Sequence, residues 1–239
     1  MAQQSAFANH ILASIPVGEY GRLSRQLELV PLKFSQVLYE PGNAIEYVYF
    51  PLDSMVSLLT AVDRKRTLEV GMVGNEGMAG MPFILGVGIS GVRALVQGAG
   101  QAMRMDAKAF RAEFERNPAL QQSLYRYTYA LMAQISQTAA CNRFHEIGNR
   151  LARWLLMTRD RVSSDEFSLT QEFLAHMLGS RRVGVTQAAS ELKRRGLISY
   201  NRGRVEILDV PGLKRASCSC YQIVNAVYLR AAPASARRR

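Results

Sequence analysis

The chain has 239 residues, of which 48% are hydrophobic and 21% are charged, and its formal net charge is +11. This composition is typical of a folded globular protein and excludes the disordered and fibrous classes. No run of apolar residues is long enough for a bilayer-spanning helix.

The excess positive charge is confined to one half of the chain. Residues 1–141 carry 12 Lys/Arg against 11 Asp/Glu, whereas residues 142–239 carry 18 against 8. A basic second half beside a nearly neutral first half indicates a polyanion-binding module attached to another domain. Solvated arginines that only increase solubility are the alternative.

The first half, up to Asp106, has the pattern of short β-strands. A helical piece is predicted at about residues 20–28, before the strands. Sandwich, barrel and jelly-roll folds have strands at the spacing that follows. The predicted strands, which turn residues separate, are 36–40, 46–50, 55–62, 67–73, 92–98 and 101–106.

After Asp106 the pattern becomes helical. Pro118 lies near an expected helix start, where proline is tolerated. Apolar residues three and four positions apart then form one stripe, which we interpret as a dimer contact between two copies of a long helix. Packing within the same chain is the alternative. A joint is predicted at Asn142 to His145, followed by a helix over 146–157. The stripe comprises Leu120, Leu124, Tyr127, Leu131 and Ile135.

The stretch LTQEFLAHMLGSRRVGVTQAASELKRRGLI, residues 169–198, predicts a helix-turn-helix. If Gln171 is its first position, Ala175, Gly179 and Val185 are the fifth, ninth and fifteenth. The fifth position needs a small side chain, the ninth a left-handed backbone, and the fifteenth fills the space between the helices. Thr170 is the predicted N-cap. An αα-hairpin in another helical domain is the alternative.

The second helix of this motif has the polar side chains that a DNA major groove accepts. Arginine pairs with guanine and glutamine with adenine, so we expect Arg182 and Gln187 to contact bases. We expect Ser180 and Arg181 to contact phosphate at the helix start. Two short β-segments, 197–200 and 204–209, then predict a hairpin, or wing. The candidate DNA-binding residues are Ser180, Arg181, Arg182, Thr186, Gln187, Ser190, Arg202 and Arg204.

This order of elements resembles the CRP/FNR family of bacterial transcription regulators. The resemblance spans residues 25–215 and is carried by EPGNAIEYVYFPLDSMVSL (40–58), EVGMVGNEGMAG (69–80) and the helix-turn-helix with its wing. It implies an α+β chain with an N-terminal cyclic-nucleotide-binding-like jelly roll, a long dimerisation helix and a C-terminal winged helix-turn-helix. It also implies a homodimer that binds pseudo-palindromic double-stranded DNA and works with RNA polymerase.

The predicted domain boundaries follow from this resemblance. They are an effector domain over 1–115, a dimerisation helix and hinge over 116–143, a DNA-binding domain over 144–215 and a C-terminal tail over 216–239. We expect the tail to be disordered from Ala231 onward.

The resemblance further implies an effector pocket. Members of the family that bind cyclic AMP have a glycine-glutamate segment and then an Arg-Ser pair that holds the cyclic phosphate. Gly74, Glu76 and Gly77 resemble the first segment, but Val92-Arg93 occupies the place of the Arg-Ser pair. Arg93 is therefore one position out of step and should lie on the opposite face of its strand. We include Arg93 in the candidate pocket and expect a ligand other than cyclic AMP, or none.

Three cysteines, Cys141, Cys218 and Cys220, are too few for a disulfide framework. None lies near the N-terminus, where iron-sulfur members of the family have theirs. Cys218 and Cys220 have the spacing of a redox pair or half a metal site, yet free thiols are the simpler interpretation. We therefore predict no metal and no cofactor.

Two other classes of function are alternatives to a DNA-binding regulator. One is a cyclic-nucleotide or other small-molecule receptor whose basic half docks on RNA or protein. The other is an enzyme with a cupin-like β-domain, which needs several metal ligands, whereas His10 is the only histidine in the first half. No catalytic motif is present, so we predict that the chain is not an enzyme. The N-terminus lacks a secretory signal, which predicts a cytoplasmic protein without a membrane partner.

Overall fold

The computed structural model describes residues 8–63, 66–201 and 203–232. Within these ranges two short helices come first, α1 (His10–Ala13) and α2 (Val17–Leu23), and a single 3-10 turn follows at Ser24–Gln26. The helix predicted at about residues 20–28 therefore ends earlier, because the first strand already begins at Glu28.

Two antiparallel sheets form the N-terminal domain. One has the strand order β1-β7-β3 and the other β2-β6-β4-β5. The side chains between them form a common apolar core that includes Val48, Phe50 and Val96. The strands are β1 (Glu28–Leu32), β2 (Val37–Tyr39), β3 (Tyr47–Pro51), β4 (Met55–Ala61), β5 (Thr67–Val73), β6 (Arg93–Gly98) and β7 (Gly100–Asp106).

Each of the six strands predicted from the sequence is confirmed, with ends that agree to within one residue. In the N-terminal domain, the strand that was not predicted is β1. It contains Pro31 and buries only Leu32, so it has neither the alternation nor the composition by which a strand is recognised.

Three helices follow the sheets: α3 (Ala107–Arg116), α4 (Pro118–Phe144) and α5 (Ile147–Val162). Asn117 caps α4 by accepting a hydrogen bond from the backbone of Leu120 at 2.8 Å, and Pro118 occupies the first turn as predicted. The predicted joint at Asn142 to His145 is shorter than expected. The α4 helix continues through Phe144, and only His145 and Glu146 separate it from α5.

The apolar stripe that we interpreted as a dimer contact lies inside the chain. Leu120, Leu124, Tyr127 and Leu131 are buried in the core of the N-terminal domain, and Ile135 packs against the same core. The packing within one chain, which was the alternative interpretation, is what the structure shows. A sheet with an apolar outer face needs a cover, and α4 supplies it.

Within the described ranges, the C-terminal domain contains α5, three short strands and four further helices, and it has its own hydrophobic core. Its strands β8 (Glu166–Ser168), β9 (Ile198–Asn201) and β10 (Arg204–Ile207) form a sheet in the order β8-β10-β9. The remaining helices are α6 (Gln171–Met177), α7 (Arg182–Arg194), α8 (Val210–Ala216) and α9 (Cys220–Ala231). The α9 helix occupies half of the predicted tail over 216–239. Its buried residues Tyr221 and Val224 are three positions apart, a helical signal that the sequence contained.

The two domains share an extensive interface. Trp154 of α5 donates a hydrogen bond from Nε1 to Glu69 Oε1 of β5 at 2.9 Å. The rings of Phe34 and Phe173 lie 5.4 Å apart between centroids. Apolar residues of β4 and β5 also belong to the core of the C-terminal domain. The helix-turn-helix is therefore packed directly on the β-domain.

Candidate functional site

The geometry of the helix-turn-helix agrees with the spacing in the sequence. Gly179 has φ +54°, the left-handed backbone expected at the ninth position. Ala175 and Val185 are both buried between the two helices. Thr170 caps α6, since its Oγ1 accepts a hydrogen bond from the backbone of Phe173 at 3.1 Å. The predicted turn, cap and helix contact are therefore confirmed.

The α7 helix presents an open polar face. It begins at Arg182, so that Ser180 and Arg181 lie just before its first turn. The side chains of Arg182, Gln187 and Ser190 are exposed along its outer side. This is the face that a helix in a major groove turns toward base edges.

Thr186 differs from the other candidates on α7. Its Oγ1 lies 2.8 Å from Gln171 Oε1 and 2.9 Å from the carbonyl oxygen of Arg182. Because its hydroxyl already has partners within the motif, Thr186 holds α6 and α7 together and has little left to offer a base.

The wing stands beside the start of α7. A cleft of about 370 Å³ separates the two and is lined by Thr170, Gln171, Arg182 and Tyr200, among others. Arg204 of β10 forms an exposed ion pair with Glu166 of β8 at 3.0 Å, which a phosphate group can replace at small cost. Arg202, predicted at the wing tip, lies outside the described residues.

One exposed residue near the start of α7 is absent from the candidates predicted from the sequence. Val183 follows Arg182 in the first turn of α7, and its side chain is 67% exposed. An apolar side chain at this place has the chemistry to contact the methyl group of thymine. The sequence contained one signal for it, because Val183 directly follows two arginines at the start of the predicted second helix.

The second predicted site, the effector pocket, is occupied by the chain itself. Arg161 of α5 places its Nε 3.0 Å from Glu76 Oε1, and both side chains are largely buried. A Cβ on Gly74 would lie 2.5 Å from Arg161 Cβ, and one on Gly77 would lie within 2.3 Å of the Tyr127 ring. These glycines admit an arginine and a tyrosine of the same chain, so the space beside Gly74, Glu76 and Gly77 contains an internal cation.

Arg93 does not join this site. It forms an ion pair with Glu40 at 2.8 Å, is partly exposed and does not line the cavity that lies beside Glu76 and Arg161. The strand alternation on which the sequence argument rested gives the same placement.

A cavity of about 380 Å³ remains next to the Glu76–Arg161 pair. The ring of Tyr228, on α9, lies 6.4 Å from that of Tyr127, and burial raises the pKa of both hydroxyls above the usual range. The lining is apolar with a few polar groups and includes His10, Ile11, Ser123, Tyr127, Arg161 and Tyr228. Its size suits a small organic ligand.

Glu69 is a second buried carboxylate between the domains. It accepts hydrogen bonds from Ser57 and Trp154. Burial raises its pKa to about 7, and these hydrogen bonds and the charges of Arg153 and Arg161 only partly oppose the effect. The interface therefore contains a group that ionises near neutral pH.

The three cysteines, for which no metal site was predicted, lie together in the structure. Cys141, His145, Cys218 and Cys220 have their donor atoms within 4.8 Å of one another. The sequence separates Cys141 from Cys218 by 77 positions, so only the fold shows that they are neighbours.

Comparisons with known proteins agree with this geometry. Residues 149–216 match the family described as the Crp-like helix-turn-helix domain. The chain is 24% identical over 200 residues to a CRP-like cAMP-activated global transcriptional regulator from Mycobacterium tuberculosis, and the match covers 81% of this chain and 89% of that protein.

Solved structures show the same fold. FixK2 from Bradyrhizobium japonicum aligns with a TM-score of 0.68 at 13% identity, covering 80% of this chain and 98% of that one. A CRP/FNR-family transcriptional regulator from Thermus thermophilus aligns with a TM-score of 0.65 at 22% identity and the same two coverages. In the part of the chain that the structure describes, no helix has the length and apolar character needed to cross a membrane.

The predicted fold class is confirmed: an α+β chain with an N-terminal cyclic-nucleotide-binding-like jelly roll, a long helix and a C-terminal winged helix-turn-helix. The open polar face of α7 and the match over residues 149–216 both point to DNA as the partner. Residues 149–216 therefore belong to the Crp-like helix-turn-helix domain family, and the chain as a whole has the fold of solved CRP/FNR-family regulators.

Proposed function

We propose that the chain acts as a homodimer that recognises a pseudo-palindromic operator through Arg182 and Gln187 of α7. The observation that carries this proposal is the exposed outer face of α7, which has both side chains in its first two turns. Arginine makes a bidentate contact with guanine and glutamine with adenine. Ser180 and Arg181, just before the helix, are placed to hold phosphate.

A second face of α4 supports a dimer. With the predicted stripe buried, the outer side of this helix still exposes Tyr125 by 54%, Tyr129 by 64% and Met132 by 64%. Large apolar side chains on an open helix favour a partner helix. The exposed positions repeat at alternating intervals of three and four, as in a coiled coil. They are Gln122, Tyr125, Tyr129, Met132, Ser136, Ala139 and Arg143.

A two-fold axis along α4 relates two copies of α7. Half-sites one helical turn apart, or about 34 Å, would then be symmetric, which is the reason for a pseudo-palindrome. We also propose RNA polymerase as a partner of the DNA-bound dimer, as the family resemblance implies.

We propose that DNA binding does not require cyclic AMP. The relative from Mycobacterium tuberculosis is described as cAMP-activated. In this chain Arg93, which the sequence places next to the expected phosphate position, pairs with Glu40, while Glu76 faces Arg161. A cyclic nucleotide would have to displace a buried ion pair and would find no bidentate partner for its phosphate.

The DNA-binding proposal is tested by selecting bound duplexes from a random pool, followed by affinity measurements on the selected and a scrambled duplex. Arg182→Ala and Gln187→Ala should each weaken binding to the selected duplex by about 1–3 kcal/mol, with a smaller loss on the scrambled one. Arg116→Ala and Gln222→Ala remove the same chemical groups from exposed positions outside α7 and serve as controls.

Equal losses on both duplexes would contradict base recognition by these residues. Binding to RNA or protein, without selection of any duplex, would favour the receptor interpretation instead. A large increase in affinity on addition of cyclic AMP would contradict the cyclic-AMP-independent mechanism.

The dimer is tested by sedimentation equilibrium. Tyr129→Glu places a charge in the middle of the exposed face of α4 and should shift the protein toward a monomer. Val17→Glu, which changes an exposed apolar residue on α2, is the control and should leave the mass unchanged. A wild-type monomer, or a Tyr129→Glu dimer as stable as wild type, would contradict the proposed face.

A further inference from the structure

The cysteine cluster joins three segments at the junction of the two domains. Cys141 lies in the last turn of α4, and His145 is its C-cap residue. Cys218 lies between α8 and α9, and Cys220 begins α9. Cys141 and Cys220 are fully buried, and Cys218 is nearly so.

Two of the distances between the donor atoms are close to those of a tetrahedral metal site, and all four donor atoms lie within 4.8 Å of one another. Cys141 Sγ lies 3.5 Å from Cys218 Sγ, and Cys220 Sγ lies 3.3 Å from His145 Nδ1. Zinc bonds of about 2.3 Å to sulfur and about 2.0–2.1 Å to nitrogen place neighbouring ligands of a tetrahedron about 3.5–3.8 Å apart. A disulfide needs a sulfur separation of about 2.05 Å, so the observed pair is not bonded.

The surroundings have an excess of positive charge that a metal-thiolate centre would neutralise. Arg150 and Arg153 are both buried, and neither forms an ion pair with any carboxylate among the described residues. The Nε atom of each has no hydrogen-bond partner in the same part of the chain. Arg150 and Arg153 both lie close enough to the cysteines to interact electrostatically with them. One Zn²⁺ with three thiolates and a neutral imidazole has a net charge of −1, which supplies a counter-charge for these guanidinium groups.

The hydrogen bond that Cys220 accepts from a neighbouring side chain also suits a structural zinc site. Gln137 donates a hydrogen bond from Nε2 to Cys220 Sγ at 3.1 Å, the kind of N–H···S contact that orients a thiolate ligand. Four protein ligands leave no open position for substrate, which distinguishes structural zinc from catalytic zinc.

We propose that Cys141, His145, Cys218 and Cys220 bind one zinc ion that fastens the end of α4 to the start of α9. Because His145 is one of the two residues between α4 and α5, the ion would hold the joint from which the DNA-binding domain extends. Binding releases the thiol protons and involves no oxidation or reduction.

The test begins with the full chain, purified under reducing conditions without added metal and analysed for bound metals. We expect about one zinc per chain. Cys141→Ser and Cys218→Ser should lose most of this zinc, and His145→Gln should hold it more weakly against a chelator. His176→Gln, which changes an exposed histidine on α6, is the matched control and should retain the wild-type content.

Cobalt substitution provides a second measurement. It uses the wild-type chain, so it does not depend on whether the cysteine variants fold. Co²⁺ added to the metal-free wild-type chain should give the visible bands of tetrahedral thiolate coordination, which Zn²⁺ should then abolish. Removal of the metal should lower the thermal midpoint, and Zn²⁺ should restore it.

Three results would overturn the proposal. One is a folded wild-type protein that contains no zinc and gives no tetrahedral cobalt spectrum. Another is a Cys141–Cys218 disulfide, found by peptide mass mapping of the protein as isolated. The third is iron with acid-labile sulfide in place of zinc.

Discussion

The arginines on two faces of the C-terminal domain differ in their exposure to solvent. On the outer face, Arg181 and Arg182 at the start of α7 are exposed to solvent. On the inner face, Arg150, Arg153 and Arg161 of α5 are 8%, 4% and 5% exposed, and they face the N-terminal domain or the cysteine cluster. The basic charge of this half of the chain therefore has two uses, and only the outer face is available to DNA.

The difference comes from the partners that each helix meets. Arg161 contacts Glu76, donates to the carbonyl of Met157 at 3.0 Å and donates to Gln134 at 3.2 Å. Gln134 in turn donates to the carbonyl of Met72 and to the hydroxyl of Tyr228. A buried guanidinium needs such a network, whereas an exposed one is solvated by water. Charge counting along a sequence does not separate the two cases.

The largest expected effect is on the inner face. Arg161→Met should reduce the free energy of unfolding by about 3–5 kcal/mol, because it leaves Glu76 buried without its cation. Adding Glu76→Gln should recover much of this loss. Arg159→Met, at a partly exposed ion pair on the same helix, is the control and should cost less than about 1 kcal/mol. Urea unfolding measures all four proteins, and equal losses in the two single arginine variants would contradict the role of Arg161.

The next effect depends on pH. The pKa of Glu69 is raised from 4.5 to about 7 by burial, so the folded chain binds a proton that the unfolded chain releases in this window. The free energy of unfolding should therefore fall as the pH rises through the window, by up to about 3 kcal/mol.

Glu69→Gln keeps the neutral form at every pH and should remove this decline. Glu115→Gln, an exposed carboxylate of α3, should leave it in place. Unfolding measured across the window gives both slopes, and an unchanged slope in Glu69→Gln would show that another group is responsible.

A smaller effect distinguishes the turn at Gly179 from the interior of α7. Gly179→Ala should destabilise the protein by about 1–2 kcal/mol, since a left-handed backbone is unfavourable for alanine. A Cβ there would also lie 2.5 Å from Leu68 Cδ1. Gly184→Ala, within α7 and free of close contacts, should instead stabilise by about 0.5–1 kcal/mol. Thermal unfolding decides the signs, and a loss of the same size in both variants would contradict the argument from φ.

The smallest expected effect is on the DNA affinity of the outer face of α7. Val183→Ala should weaken binding to the selected duplex by about 1 kcal/mol, or about fivefold, because it removes exposed apolar surface from the face of α7 that we propose binds DNA. Ile223→Ala, at an exposed position of α9, is the control. No change in affinity for Val183→Ala, while Gln187→Ala weakens binding, would place Val183 outside the contact surface.

Features that depend on local geometry could be predicted from the sequence. Gly179, Ala175 and Val185 determine the helix-turn-helix because the spacing within thirty residues sets the angle between two helices. The six predicted strands follow from alternation between adjacent residues. The misalignment of Arg93 with the expected phosphate position is likewise visible in the order of residues along one strand.

Features that depend on distant segments could not be predicted. The stripe that includes Leu120 and Leu124 has the same spacing whether it covers a sheet or a second helix. The prediction that it contacts a second copy of the helix was therefore wrong, because it packs on the N-terminal domain of the same chain. Gly74 and Gly77 have the pattern of a ligand pocket, yet Arg161 and Tyr127 occupy the space that they leave.

The sequence by itself determined six strands of the N-terminal domain, the helix-turn-helix, the outer face of α7 and the family resemblance, because these depend on short-range periodicity and on backbone preferences. Only the tertiary structure decided which arginines are buried, which apolar face of α4 stays open and that Cys141 lies beside Cys218. Contacts across many residues depend on how whole elements pack, and packing energy depends on shape and burial that no local pattern specifies.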